Sequence, residues 1–201
     1  MSLYLISDTH FDHANIIKYC NRPFERASEM DEHIIRNWNE RVQFGDTVLH
    51  GGDIAMARSE VAIEYAERVN GQLVHLDGNH DDIDQSQAPF PTLKSYYFTY
   101  TYGETEYEFY YTHWPPTEHS DRDDEREPPK HSQPPEWFDG WFLHGHVHNN
   151  DLKNFPFINP DEKFVNLSAE LLNYTPIEIE ELIQLIEHNN RYETIDDVDE
   201  L

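Results

Sequence analysis

The chain has 201 residues, which fits one domain with room for a small insertion. Its 40 acidic and 14 basic residues give a formal net charge of −26, a field that repels nucleic-acid backbones and anionic membranes. One cysteine, Cys20, excludes an intrachain disulfide and a thiolate metal cage.

No apolar run approaches the ~18 residues of a membrane span. The N-terminus MSLYLISDTH lacks a basic region and soon turns polar, unlike a signal peptide, so the cytoplasm is the expected location. So acidic a chain repels itself, and that repulsion shrinks when salt shortens the Debye length to a few ångströms. Scarce lysine and acids spread along the whole chain suit a halophile. With 37% hydrophobic residues, of which Tyr and Phe supply a large share, the core is lean.

Leu3–Ser7 reads as a short buried strand that ends in Asp8-Thr9-His10. The segment SEMDEHIIRNWNERV reads as a helix, with Met30, Ile34, Trp38 and Val42 recurring every four residues. Ser28 and Asp31 resemble a capping box before it. DTVLHGGD is a second strand running into glycines. SEVAIEYAERVNG is a second helix, with Ser59 as N-cap and Gly71 as stop. QLVHLDGNHD is a third strand entering a loop. Strand and helix alternate as in a layered α/β fold.

SYYFTYTYGETEYEFYYTH alternates as an antiparallel hairpin, turning near Gly103-Glu104. Tyr96, Phe98, Tyr100 and Tyr102 share one face, as do Tyr107, Phe109, Tyr111 and His113. Residues 115–137, rich in Pro and charge, read as a mobile acidic loop and a candidate lid. WFLHGHVH is another strand ending in a Gly-His turn. FVNLSAEL is a last strand-like piece, IEIEELIQLIEHN an amphipathic helix, and TIDDVDEL a frayed tail.

The polar residues gather at predicted strand ends. Asp8 and His10 follow the first strand, Asp53 the second, and Asn79, His80 and Asp81 the third. His113 ends the hairpin, and His146 and His148 follow the next strand. Open α/β sheets bind ligands outside the carboxyl ends of their strands, so these residues should converge. Carboxylate, imidazole and amide oxygen suit Mn, Fe, Zn, Ni or Mg. The i, i+2 spacing of Asp8/His10 and of His146/His148 lets each pair point to one side of an extended chain.

Asp8-x-His10, Gly52-Asp53, Gly78-Asn79-His80-Asp81, His113 and Gly145-His146-x-His148 stand in the order of the calcineurin-like metallophosphoesterase superfamily. The chain resembles its small prokaryotic and phage-type members over roughly Met1 to Glu181. Members often carry Phe-Gly-His where this chain has Phe11-Asp12-His13, and His-Leu-Gly-Asp where it has His50–Asp53. Both changes lie beside the matched positions.

The resemblance implies a single domain over 1–201, built as a four-layer α/β/β/α sandwich of two mixed sheets flanked by helices. It implies two divalent ions, manganese first, with Fe, Ni, Zn or Mg as alternatives. Asp8, His10 and His148 would hold one, Asn79, His113 and His146 the other, and Asp53 would bridge them. A metal-bridging hydroxide would attack phosphorus. His80 would act as general acid or stabilise the phosphoryl oxygens, and Asp81 would orient it.

The activity so implied is hydrolysis of a small phosphate ester; the family covers diesters and monoesters alike, and a diester is expected ahead of a monoester. Long nucleic acid is a poor match to the charge, and oligomerisation stays open. The alternative is a non-catalytic metal-binding scaffold of the same fold. His13 and Asn15 are candidates for substrate contact, and His50 for a residue donating to a ligand. His144 reads as packed or as backing a ligand. His33, His75, His119, His131 and His188 read as surface or ordinary packed residues.

Overall fold

The computed structural model describes residues 1–56, 59–116, 129 and 132–200. Most of the predicted acidic loop, with His119 and His131, lies outside the described residues.

Three short strands, β1 (Leu3–Ile6), β2 (Thr47–His50) and β3 (Gln72–Leu76), pair in parallel. Parallel β4 (Thr92–Leu93) extends the sheet on one side, and antiparallel β10 (Ile177–Glu178) on the other. The crossover helices are α1 (Ala14–Tyr19) and α2 (Ala27–Arg41) between β1 and β2, and α3 (Ser59–Arg68) between β2 and β3. The second sheet has the order β5-β6-β7-β9-β8. Its β5 (Ser95–Tyr102) and β6 (Thr105–Thr112) form the expected hairpin. Gly103 takes the left-handed conformation (φ 61°) that so tight a turn requires. Strands β7 (Trp141–His144) and β9 (Phe164–Asn166) continue in parallel, and β8 (Ile158–Asn159) closes the edge antiparallel.

The result is the expected α/β sandwich of two mixed sheets. Leu5, Ile6, Val48 and Leu49 of one sheet and Phe109, Tyr111, Leu143 and Val165 of the other belong to one buried cluster. Tyr111 ties the sheets together by donating its hydroxyl to the Ile6 carbonyl at 2.9 Å. Helix α2 packs its predicted stripe, Met30, Ile34 and Trp38, into this core. Helix α4 (Ile179–Glu187) buries Ile179, Leu182, Ile183 and Ile186. On its polar side, Tyr100 and Tyr107 of the hairpin donate to Glu180 and Glu187. A smaller cluster, Tyr110, Phe142, Val147, Phe155 and Phe164, packs with the β7–β9 connection.

Several local expectations need correction. Helix α2 starts at Ala27 and has no side-chain cap, so Ser28 and Asp31 form no capping box. The Asp31 carboxylate instead accepts the Tyr65 hydroxyl at 2.8 Å and the Asp12 backbone N–H at 3.2 Å. The reciprocal box occurs at α4, between Glu178 and Glu181. Ser59 Oγ accepts the Asp84 N–H at 2.8 Å, which ties α3 to the loop after β3. Among the described residues of the C-terminal segment, where a frayed tail was expected, Ile195–Glu200 forms a 3-10 helix, with Ile195 and Val198 packed on the core.

Burial pushes the Asp31 carboxyl up to about 6, against hydrogen bonds from Tyr65 and Asp12 that favour its charged form. A folded pKa above the unfolded value means the folded state holds the proton more tightly. Asp31 therefore costs stability as the pH rises from about 4 to about 6. Asp31→Asn should be more stable than wild type at pH 7 by about 1 kcal/mol and close to it at pH 4. Urea unfolding at the two pH values checks this; an equal difference at both would contradict it.

Candidate metal centre

Five strands that run in the same sense within their sheets deliver the polar residues to one place. Strands β1, β2 and β3 end just before Asp8, Asp53 and Asn79, and β6 and β7 end just before His113 and His146. The sheets are stitched together beside them. Ser7 N–H, after β1, donates across to the Leu167 carbonyl, after β9, at 2.8 Å; within the second sheet, Gly145 N–H donates to the His113 carbonyl at 3.0 Å.

The chain does not approach the site as extended strand. Asp8, His10, Asp53, His146 and His148 all have left-handed backbones, with φ between 51° and 70°. The i, i+2 pairs therefore converge through alternating left-handed residues rather than through strand pleat, which corrects the reason given by spacing alone. Such conformations cost of order 1–3 kcal/mol each and persist where surroundings over-determine them.

Two groups of donor atoms result. In the first, Asp8 Oδ1 lies 4.0 Å from His10 Nε2 and 3.7 Å from His148 Nε2. In the second, Asn79 Oδ1 lies 2.8 Å from His146 Nδ1 and 3.0 Å from His113 Nε2, and the two ring nitrogens are 3.1 Å apart. Asp53 stands between them. Its Oδ1 accepts the His80 backbone N–H at 2.9 Å. Its Oδ2 lies 3.5 Å from His10 Nε2 and 3.5 Å from His113 Nε2.

The donor chemistry fits cations. His113 Nδ1 is 3.0 Å from the Gly51 carbonyl, which can only accept, so the proton sits on Nδ1 and Nε2 presents a lone pair. That lone pair faces an amide oxygen and a second imidazole nitrogen at contact distance. His10 Nε2 is buried and has no hydrogen-bond partner. Ligand atoms held about 2.1 Å from a shared ion lie about 3.0 Å apart at right angles and about 3.4 Å apart in tetrahedral array. The spacings of 2.8 to 3.5 Å around Asp53 and Asn79 match that range.

Burial, reinforced by neighbouring histidines, keeps His10 well below its usual pKa and lowers His146 to about 2. Both rings stay neutral and ready to donate lone pairs. Burial also opposes charge on His113 and His148, but Asp53 and Asp8 around the first and Glu170 and Asp8 around the second outweigh it and raise both.

Of the other expected residues, His80 is exposed at the mouth, its ring 5.7 Å from that of His10. His13 is nearly buried, its Nδ1 3.4 Å from His10 Nδ1. Asn15 is exposed on α1 and has no described contact with the cluster. His50 reaches no ligand side chain: its Nε2 meets the Thr9 hydroxyl at 3.0 Å, and its Nδ1 accepts the Gly52 N–H at 3.3 Å. His144 is a packed histidine, against Phe155 and Phe164, with Nδ1 on the Gly145 carbonyl.

Asp81 does not orient His80. Its Oδ2 accepts the Asp53 N–H at 2.7 Å, the Gly78 N–H at 2.8 Å and His75 Nε2 at 2.8 Å, and its Oδ1 accepts the Ile54 N–H at 3.0 Å. It holds the two loops that carry Asp53 and Asn79 in register. His75, expected to be ordinary, is its buried partner. A cross-strand signal was present, since His50 and His75 sit opposite each other on β2 and β3, each just before its loop. Trp114, whose ring lies 4.5 Å from that of His146, was also missed.

Gly145 matters for space alone. A Cβ there would lie 2.1 Å from Asp8 Oδ2 and 2.1 Å from Ser7 Oγ. Gly145→Ala should displace the Asp8 carboxylate and weaken binding of divalent metal about 10-fold or more. Calorimetric titration with Mn²⁺ checks this, and wild-type affinity would contradict it.

Known proteins resemble this chain over nearly its whole length. A protein of Methanocaldococcus jannaschii, "Uncharacterized protein MJ1445", is 38% identical over 198 residues, covering 98% of this chain and 97% of its own length. The crystal structure of a protein of unknown function, AQ665 from Aquifex aeolicus, has the same fold, with a TM-score of 0.58 at 20% identity over 92% of this chain and 98% of that one. The sequence model of the calcineurin-like phosphoesterases matches residues 1–197. With that match over nearly its whole length, and candidate metal-binding residues gathered at its strand ends, the chain belongs to the calcineurin-like phosphoesterase family.

Proposed function

We propose that this protein hydrolyses small phosphate esters with two divalent cations. Asp8, His10 and His148 hold the first, Asn79, His113 and His146 the second, and Asp53 is shared. One observation carries this reading. Asp53 Oδ2 sits 3.5 Å from one nitrogen of each group, while its Oδ1 is tied to backbone. When bound, such a pair of ions activates water at neutral pH and offsets charge on the phosphoryl oxygens. The donors, oxygen and imidazole, suit Mn, Fe, Ni, Zn and Mg alike, and manganese leads among them on the family resemblance alone.

The chain's own groups supply the rest. The His80 backbone fixes Asp53, and its exposed ring stands beside His10 at the mouth. There it protonates the leaving oxygen or binds a phosphoryl oxygen. His13 borders the same mouth. A diester carries less negative charge than a monoester, so it meets less repulsion from a chain of net charge −26. The same charge favours a small substrate over long nucleic acid. We read the chain as one cytoplasmic domain adapted to high salt. No helix among the described residues is long and apolar enough to cross a membrane.

The test is metal rescue of the metal-free protein at high salt, with bis-p-nitrophenyl phosphate and p-nitrophenyl phosphate and each of Mn²⁺, Ni²⁺, Zn²⁺ and Mg²⁺. Turnover is expected, faster on the diester, and Asp53→Ala should abolish it. His80→Ala should keep its metal and lose about 10²–10⁴-fold in kcat. No turnover with any metal would contradict the reading, and unchanged kcat in His80→Ala would remove its catalytic role.

A further inference from the structure

We propose that Glu170 and Arg22 are positioning residues for the first cation alone, holding His148, Asp8 and the turn between Asp8 and His10 in ligating geometry. The inference rests on the two-cation reading above. Neither residue belongs to the five sequence blocks, and neither contacts the second group of donors.

His148 Nδ1 lies 3.1 Å from Glu170 Oε1 and 3.3 Å from Oε2. A carboxylate can only accept, so it keeps the proton on Nδ1 and turns the lone pair of Nε2 toward Asp8. Glu170 is in turn gripped by Arg22, through Nε at 2.8 Å and a terminal nitrogen at 2.7 Å. The same guanidinium donates to the Asp8 carbonyl at 2.7 Å and to the Thr9 carbonyl at 2.9 Å. Those carbonyls belong to the left-handed Asp8 and to the residue joining it to His10. One planar cation thus reaches the supports of all three first-group donors. Both side chains are almost fully buried, at 0% exposure for Arg22 and 3% for Glu170.

Arg22 also directs the ion. Cys20, His148 and Glu170 offer donor atoms within 4.8 Å of one another, on the far side of the His148 ring. A guanidinium already on Glu170 repels a second cation from that trio, which leaves the Nε2 side of His148 as the binding side.

Manganese loading read by stoichiometry and by electron paramagnetic resonance tests this. Wild type should bind two ions per chain with a spin-coupled spectrum. Glu170→Gln should keep one ion within about twofold of wild-type affinity and weaken the other about 10–100-fold, giving the spectrum of isolated Mn²⁺. If wild type binds fewer than two ions, the two-cation reading falls, and this inference with it. If wild type binds two and the variant also binds two with unchanged affinities, or weakens both equally, the inference alone is overturned. Should Glu170→Gln fail to fold by circular dichroism, Arg22→Lys is read the same way. It keeps the charge but cannot span carboxylate and both carbonyls, so it too should weaken one ion only, and equal binding of both would overturn the inference.

Discussion

The arrangement depends on a carboxylate held between two sets of lone pairs. Asp53 is buried at the end of β2, and backbone N–H groups fix its place. The His80 amide binds Oδ1, and Asp53's own amide is bound by Asp81. Burial and the nearby Asp8 and Asp81 carboxylates raise its pKa, against the pull of His113. A buried negative charge facing imidazole lone pairs is costly unless something positive lies between them. The neighbouring carboxylates raise the pKa values of His113 and His148 against burial, the same demand for positive charge seen from the imidazoles. Divalent ions meet it, because each can take several lone pairs at once. On the proposed two-cation reading they would also answer the charge problem of the chain, inverting the local field at the strand ends.

Everything around Asp53 fixes geometry before an ion arrives. The ligand-bearing loops carry left-handed residues at five of their functional positions. Buried polar groups brace these loops from behind: Asp81 with His75, His50 with Thr9, and Arg22 with Glu170. Each brace ends on backbone or on a ligand ring rather than in the centre. The strain of the turns is thus borne by hydrogen bonds in the rigid sheet ends, and only His80 among the expected catalytic groups is left exposed.

Much of this was legible in the sequence because strand ends are legible. Short apolar runs that stop at Asp, Gly or His locate the carboxyl ends of β1, β2, β3 and β7, and a sheet of such strands gathers whatever follows them. The aromatic hairpin was equally plain, because period two over eight residues has no helical reading. Lone supports were not legible. Glu170 follows a strand in a stretch resembling any acidic segment, in a chain where acids are common. Arg22 is one of few bases, which was the available hint, but nothing in its spacing says that it folds back on Asp8. Asp81 was assigned to its sequence neighbour His80, whereas tertiary structure turns it toward β2. Ser28 and Asp31 matched a capping pattern, yet burial of Asp31 against Tyr65 overrode it. In each case a contact distant in sequence outweighed a local pattern.

The central claim is that Asp53 is shared between two cations, and anomalous diffraction from crystals grown with Mn²⁺ tests it most directly. The account predicts two peaks about 3.5–4 Å apart, one on each side of Asp53 Oδ2. One peak should lie among Asp8, His10 and His148, the other among Asn79, His113 and His146. A single peak, or two peaks of which either lies beyond reach of Asp53, would contradict it.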